Sequence, residues 1–356
     1  LNIGVIHASF KVLGGAEITT IYLLEALRET NNSTTLYTTN PPQIQETQNF
    51  KIHQIPFHSF PLFWKYQRIK EEQQLFQDSN SEDVIFVGSG GLTLQESKVR
   101  KVIVYCHSTF EGEYRFAHGK ASGIKSAYQK IIQKKIRESL QVMQDPKVKM
   151  ISNSKYTSQT ILKLFQKDSI VIYPPVDITR YSRWANQPKE HKIIVLSRYS
   201  PEKKLEFAME AVKDSDTSCK IIGTAKLKSQ IKMYEKLNKI KSRNVELLCN
   251  ASKDEIDRSI SSAKVYFHPS KETFGISVVE SIAAGCIPIV PDNSAHKETV
   301  PFEDLRYEYD DPKDARDHLV KAINGDFDEY IPKLQQHIRI FDLTNFKKKV
   351  LEQIKI

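Results

Sequence analysis

Two glutamates, Glu272 and Glu280, bracket seven residues in the stretch KETFGISVVE at 271–280. An ionised carboxylate only accepts hydrogen bonds, so such a pair suits the hydroxyl groups of a polyol ligand. The plainer reading is an acid favoured at a helix N-terminus plus an ordinary surface glutamate. In VLSRYSPEKK at 195–204, Arg198 and Lys203 lie five residues apart. Two cations there would neutralise a diphosphate, the guanidinium through paired hydrogen bonds. A solvated loop is the alternative, and for Lys204 it is the preferred one. His107 follows the apolar run VIVYC at 102–106, where an imidazole can meet a sugar hydroxyl or move a proton, or can simply be satisfied by backbone groups. The pair Gly14–Gly15 in GGAE would let a phosphate or sugar approach the backbone, but turns use such pairs routinely.

These residues need elements to hold them. Short apolar runs alternate with longer amphipathic stretches, the pattern of parallel strands covered by helices. The first half predicts strands over 3–7, 35–38, 84–87, 102–106 and 150–153, with a helix from about Ala16. The second predicts strands over 192–197, 219–222, 245–248, 265–268 and 287–290, with helices over 205–212 and 227–241. Glu272 then stands on the loop leaving a strand, and Glu280 inside a helix running from Ile276 to Ala284, with Gly285 as its stop. The amides of Phe274, Gly275 and Ile276 would open that helix toward an anion. The prolines of IYPPVDITRYS at 172–182 stiffen the chain and mark a domain boundary. The expected organisation is a first Rossmann-like domain over 1–177, a second over 178–330, and a helical segment over 331–356 returning to the first. Ligands of such sheets bind at the C-terminal ends of the strands.

The bulk composition agrees. A chain of 356 residues suits two domains, and 40% hydrophobic with 27% charged residues is a globular balance. No run approaches the ~18 apolar residues of a spanning helix. The N-terminal LNIGVIHASF reads as a buried strand rather than a signal peptide. Four scattered cysteines form no C-x-x-C pair or Cys/His cluster, which points to free thiols in a reducing compartment and to a cytoplasmic location. The excess of 52 basic over 43 acidic residues, +9, attracts nucleic acid, anionic lipid or phosphorylated substrates without choosing among them.

Taken in order, SNSKYTSQTI, IYPPVD, RYSPEK and ETFGISVVESIAAGCIPIV resemble the retaining nucleotide-sugar glycosyltransferases of family 4, which have the GT-B fold. The resemblance covers nearly the whole chain and is strongest from Ile151 to Pro301. It implies an α/β protein of two doubly wound domains facing a cleft. Arg198 and Lys203 would hold the donor diphosphate, Glu272 the transferred sugar and Glu280 the nucleotide ribose. Phe274, Gly275 and Ile276 would line the sugar and phosphate site, Gly15 would sit near the diphosphate, and His107 would match the family's sugar-contacting histidine. Leu248 and Cys249 would touch the base, and Gly223 would be the glycine after the domain's second strand. No cofactor is implied beyond a GDP- or UDP-linked sugar as substrate, no D-x-D carboxylate pair is read for a bound metal, so a metal-independent mechanism is expected, and front-face transfer assisted by the leaving phosphate is the expected route to retention.

The acceptor is addressed by IPFHSFPLFWKYQRIK at 55–70, where Phe57, Phe60, Phe63 and Trp64 stand beside Lys65 and Arg68. Aromatics next to cations suit a membrane interface; core aromatics beside a solvated basic face are the equal alternative. A basic stretch at 119–137 fits anionic headgroups. FGISVVESIAAG is similar to the mannosyltransferases that build dolichol-linked oligosaccharides, which implies mannose and a lipid-linked glycan acceptor at the cytosolic membrane face. The rival readings are a soluble-acceptor glycosyltransferase, a sugar phosphorylase of the same fold, and a basic nucleic-acid-binding protein. The last lacks any RNA-binding signature.

Overall fold

A computed structural model describes residues 1–42, 50–56, 63–89, 94–99, 101–121, 126–213 and 215–355. The chain forms two compact units, one of residues 1–175 and 344–356, the other of Val176–Leu343.

The first unit carries β1 (Asn2–Ile6), β2 (Ser33–Thr38), β3 (Lys51–Gln54), β4 (Val84–Val87), β5 (Lys101–Cys106), β6 (Val148–Ser152) and β7 (Ile170–Val171), with helices α1 (Gly15–Arg28), α2 (Trp64–Asp78), α3 (Glu111–His118), α4 (Ser126–Val142) and α5 (Lys155–Phe165). Its sheet has the order β3-β2-β1-β4-β5-β6-β7, and every pairing is parallel. Parallel strands need crossover helices on both faces, so central strands read as continuous apolar runs. VIFV of β4 is buried at every position.

The second unit carries α6 (Ile178–Ser182), β8 (Glu190–Arg198), α7 (Leu205–Ala211), β9 (Ser218–Thr224), α8 (Lys228–Ile240), β10 (Val245–Cys249), α9 (Lys253–Ser262), β11 (Ala263–Phe267), α10 (Ile276–Ala283), β12 (Ile287–Pro291), α11 (His296–Thr299), β13 (Arg306–Tyr307), α12 (Pro312–Asn324) and α13 (Tyr330–His337). Its parallel sheet has the order β10-β9-β8-β11-β12-β13. Both sheets are doubly wound, as the sequence pattern predicts. The order reverses between β1 and β4 in the first and between β8 and β11 in the second, and a crevice opens at such a switch point.

The expected helical segment over 331–356 is not one piece. A 3-10 turn at Ile338–Phe341 ends α13, and α14 (Leu343–Ile354) begins after Asp342. At this break Val176 N–H donates to Phe341 O (3.0 Å) and Leu343 N–H to Val176 O (3.2 Å). Thus α13 belongs to the second unit, and only residues from Thr344 onward belong to the first. There Phe346, Val350 and Ile354, one helical face, join the core of Ile3, Val5 and Leu24. None of the helices among the described residues is long and apolar enough to cross a membrane.

Candidate active site

In the second unit the chemistry gathers at the switch point. Arg198 is the last residue of β8, and Lys203 closes the 3-10 turn Pro201–Lys203 that follows it. Glu272 lies on the connection from the neighbouring strand β11 to α10, and its carboxylate forms an ion pair with Lys203. His268, just past β11, reaches the same Oε1 with Nε2 at 3.2 Å. Behind His268, the Tyr266 hydroxyl is 3.1 Å from Nδ1 and 2.7 Å from the Ser277 hydroxyl. The backbone is held as well: Glu272 N–H donates to Ser294 Oγ (3.2 Å), and Ala295 N–H donates to Glu272 O (3.2 Å). Burial works against the charge on Glu272, but His268 and Lys203 outweigh it and hold the carboxyl well below the usual carboxylate range. Glu272 is therefore an ionised group fixed from two sides.

Glu280 has the opposite electrostatics. It sits on α10 with its Oε1 3.1 Å from the Tyr181 hydroxyl of α6, which donates to it. Burial pushes its carboxyl up to about 7, and Asp257 adds to the shift, while Tyr181, Lys253 and Arg180 oppose it. Arg180 is itself taken by an ion pair with Asp257. Nearly buried Tyr181, at 6% exposure, is a fixed part of this arrangement.

Arg198 stays open to solvent, with 55% of its side chain exposed and Glu202 at 3.5 Å as an ionic partner. Lys204, read as a solvated side chain, is engaged instead: it pairs with Asp310 and lies 4.0 Å from the centre of the Tyr309 ring. Gly275 precedes α10 with φ 93°, a backbone that L side chains rarely adopt, and a Cβ there would stand 3.2 Å from Val278. Ile276 is the first residue of that helix. The Phe274 side chain is buried and meets Phe341 edge-on at 5.1 Å. Leu248 and half-buried Cys249 end β10. Gly223 is required by the sheet itself, since a Cβ would fall 2.4 Å from Ser197 O and 2.8 Å from the Tyr199 ring.

In the first unit His107 follows β5, and Gly15 opens α1. Burial, with His7 adding to it, lowers the His107 imidazole to about 3, so it is neutral at ordinary pH. Sequence reasoning missed its neighbours. His7, wholly buried at the end of β1, lies 2.8 Å from Thr20 Oγ1 through Nδ1 and 3.3 Å from Glu17 Oε1 through Nε2. The other Glu17 oxygen accepts from Gly14 N–H at 2.8 Å and so fixes the glycine turn. The available signal was a histidine at a strand's C-terminal end, which also marks His268.

Phe57 and Phe60 lie outside the described residues. Phe63 and Trp64 are exposed, at 55% and 49%, and the Lys65 ammonium stands 5.6 Å from the Trp64 ring and 5.4 Å from that of Phe116. Arg68 is bonded to Glu72 at 2.8 Å. Among the described residues no group of three or more His, Cys, Asp or Glu is arranged to hold a metal ion. The sequence does contain D-x-D spacings at 214–216 and 326–328, which the expectation of a metal-free site left aside. Asp328 pairs with Lys264 at 3.4 Å, near the start of β11 and thus at the opposite end of that strand from Glu272.

The chain matches the signature of "Glycosyltransferase Family 4" over residues 13–180 and that of "Glycosyl transferases group 1" over 180–335. It is 24% identical over 218 residues to the GDP-Man:Man(3)GlcNAc(2)-PP-Dol alpha-1,2-mannosyltransferase of Dictyostelium discoideum, covering 54% of this chain and 43% of that one. The chain spans about half the length, or less, of the curated relatives it matches. Among solved structures, Anabaena HepE in complex with UDP and glucose superposes with TM-score 0.73 at 15% identity, covering 99% of this chain and 98% of that one. WaaG, a glycosyltransferase involved in lipopolysaccharide biosynthesis, gives 0.74 at 14% identity, with 99% of each chain covered. The fold is GT-B, and the chain belongs to glycosyltransferase family 4.

Proposed function

We propose that this glycosyltransferase moves a hexose, mannose from GDP-mannose, to a lipid-linked or glycan acceptor at a membrane surface. The observation that carries the donor half is the Lys203–Glu272–His268 arrangement beside solvent-open Arg198 at the strand switch point. As the glycosidic bond stretches, negative charge builds on the diphosphate oxygens. Arg198 and Lys203 stabilise that charge, and cations held in place before the reaction are worth several kcal/mol of barrier. Glu272, fixed and ionised, accepts hydrogen bonds from hydroxyls of the transferred sugar, and Glu280 accepts from the ribose. His107, neutral, offers its imidazole to a sugar hydroxyl. Retention follows in this reading by front-face departure and attack, since no side chain is assigned as nucleophile, and the two cations take the place of a metal.

Mannose rests on the Dictyostelium relative, named for GDP-Man as its donor. The membrane half rests on exposed Phe63 and Trp64 beside Lys65, and on the exposed basic residues Lys130, Lys134 and Arg137 of α4.

The test is thermal unfolding of the full chain with GDP-mannose, GDP, UDP-glucose and UDP, beside Arg198→Ala and Glu280→Ala. A ligand at a hundred times its Kd stabilises by about 2.7 kcal/mol. Stabilisation by the GDP ligands, lost in both variants, is the expected result, with mannose transfer then assayed and the product anomer read by NMR with and without a chelator. A shift with UDP ligands alone would replace the donor, and no shift with any would overturn the reading.

A further inference from the structure

The Lys203–Glu272 pair is made by two loops, and in each loop the residue next in sequence does something else in common. Lys204 and Lys271 both direct their ammonium groups at one ring, Tyr309, at 4.0 and 4.4 Å from its centre. Tyr309 stands on a third connection, between β13 and α12. A tyrosine face attracts a cation within about 6 Å through its quadrupole, so this ring draws the loops after β8, β11 and β13 together. Next to it, Asp310 closes an ion pair with Lys204.

Both partners of that ion pair have left-handed backbones without being glycine: φ is 50° at Lys204 and 71° at Asp310. Such conformations persist only where the surroundings over-determine them. Lys204 is also the residue before α7, and its carbonyl accepts from Ala208 N–H (3.1 Å), so its position sets where Lys203 ends and the helix starts. The third loop is anchored from below. Tyr307, fully buried, stacks on Phe207 (5.8 Å between centres, 19° between planes), and its hydroxyl donates to His268 O at 3.1 Å. Thus β13 and the connection after it reach both sides of the site: Tyr307 fixes the backbone of His268, and Tyr309 gathers the lysines flanking Lys203 and Glu272.

We propose that Tyr309 is a positioning residue of the donor site, holding the Lys203–Glu272 pair in register for the donor diphosphate and sugar through Lys204 and Lys271. This rests on the donor reading of Arg198, Lys203 and Glu272. The cations on Tyr309 are the neighbours of the paired groups, Lys204 and Lys271. The effect of the ring passes through two backbones, one residue away on each side.

The experiment is titration of the full chain with GDP and UDP, using whichever binds, for wild type, Tyr309→Leu, Tyr309→Phe, Lys203→Ala and the Tyr309→Leu/Lys203→Ala double variant. Removal of the ring quadrupole in Tyr309→Leu is expected to weaken binding about fivefold, while Tyr309→Phe, which keeps the ring, retains it. With Lys203 already gone, the Leu substitution should add less than about twofold, because coupled residues are non-additive. A merely structural Tyr309 would lower the melting temperature without that coupling, so additive losses, or full binding by Tyr309→Leu, would overturn the proposal. Should Tyr309→Leu fail to fold, Lys271→Met removes one arm of the clamp and is read by the same cycle. If Lys203→Ala itself leaves binding intact, the donor reading fails and the positioning role with it. If Lys203→Ala weakens binding and the Tyr309 variants do not, only the positioning role fails.

Discussion

Replacement of Tyr181 by Phe should weaken donor binding about fivefold at neutral pH, with recovery in alkali. The Tyr181 hydroxyl donates to Glu280 Oε1 at 3.1 Å, and the carboxyl, pushed up by burial, titrates near 7. A hydrogen bond to a charged group contributes about 1.5–3 kcal/mol, and one pKa unit is about 1.4 kcal/mol, so losing it moves Glu280 up by about one unit or more. If the ionised form accepts the ribose hydroxyls, affinity follows the ionised fraction. At pH 7 that fraction is about one half for a pKa of 7 and about one eleventh for a pKa of 8, so the variant binds about fivefold more weakly. At pH 9 both forms are almost fully ionised and the difference shrinks to about a tenth. The assay is calorimetric titration with GDP from pH 6 to 9, or with UDP if that proves the ligand. A defect of constant size across this range, or wild-type affinity that does not fall below pH 7, would refute the link between Glu280 ionisation and binding.

Three further outcomes follow from the geometry. Arg198→Ala should abolish donor binding with denaturant stability unchanged within about 0.5 kcal/mol, since the side chain is exposed, whereas Lys203→Ala leaves half-buried Glu272 with His268 but without its lysine and costs about 1–3 kcal/mol as well; equal stabilities would contradict this account of the pair. Gly223→Ala places a methyl 2.4 Å from Ser197 O and should destabilise the second unit by about 2 kcal/mol or more, read as an earlier urea midpoint. Joint replacement of Phe63 and Trp64 by Ala should lower partitioning onto anionic vesicles about tenfold in a sedimentation assay while GDP titration stays unaltered; unchanged partitioning would remove the membrane role from this segment.

Most of the architecture was legible because central parallel strands are buried on both faces and therefore announce themselves as apolar runs. VIFV, VIVYC and IPIV lie in strands as read. The strands that escaped notice are edge strands. KIHQ of β3 is exposed at all four positions, and β7 and β13 are two residues each, so neither periodicity nor burial marks them in the sequence. The helical tail read as one segment because its apolar spacing continues through Ile338 and Phe341. The break at Asp342 is set by the hydrogen bonds to Val176, which no local pattern encodes. At the site, Arg198, Lys203, Glu272 and Glu280 could be named from loop position and order. Their supports were harder to read: His268 reaches Glu272 across its own loop, but Tyr309 meets Lys204 and Lys271 only through tertiary contacts, and Tyr181 meets Glu280 across 99 residues of chain.

The two glutamates of the E-x7-E spacing look equivalent in sequence, and the structure makes them opposites. Glu272 is surrounded by a lysine and a histidine that more than offset its burial, so its charge is permanent over the ordinary pH range. Glu280 faces a phenol, a neighbouring aspartate and cations that are distant or already paired, so burial dominates and its charge is conditional. Two carboxylates with separated pKa values mark a division of roles. In the proposed reading the fixed charge stands beside the reacting sugar, where hydrogen-bond geometry must not change with the surroundings. The conditional one stands in that reading on the ribose, away from the bond that breaks, where protonation would alter how tightly the donor is held without altering the chemistry of transfer. On this reasoning an acid limb in the enzyme's pH profile should appear in KM and not in kcat. It should disappear in Glu280→Gln, whose KM is raised at every pH, and persist unmoved in Arg198→Ala wherever activity remains measurable. An acid limb in kcat with a midpoint near 7 would instead assign the titrating group to the reacting centre and reverse the two roles.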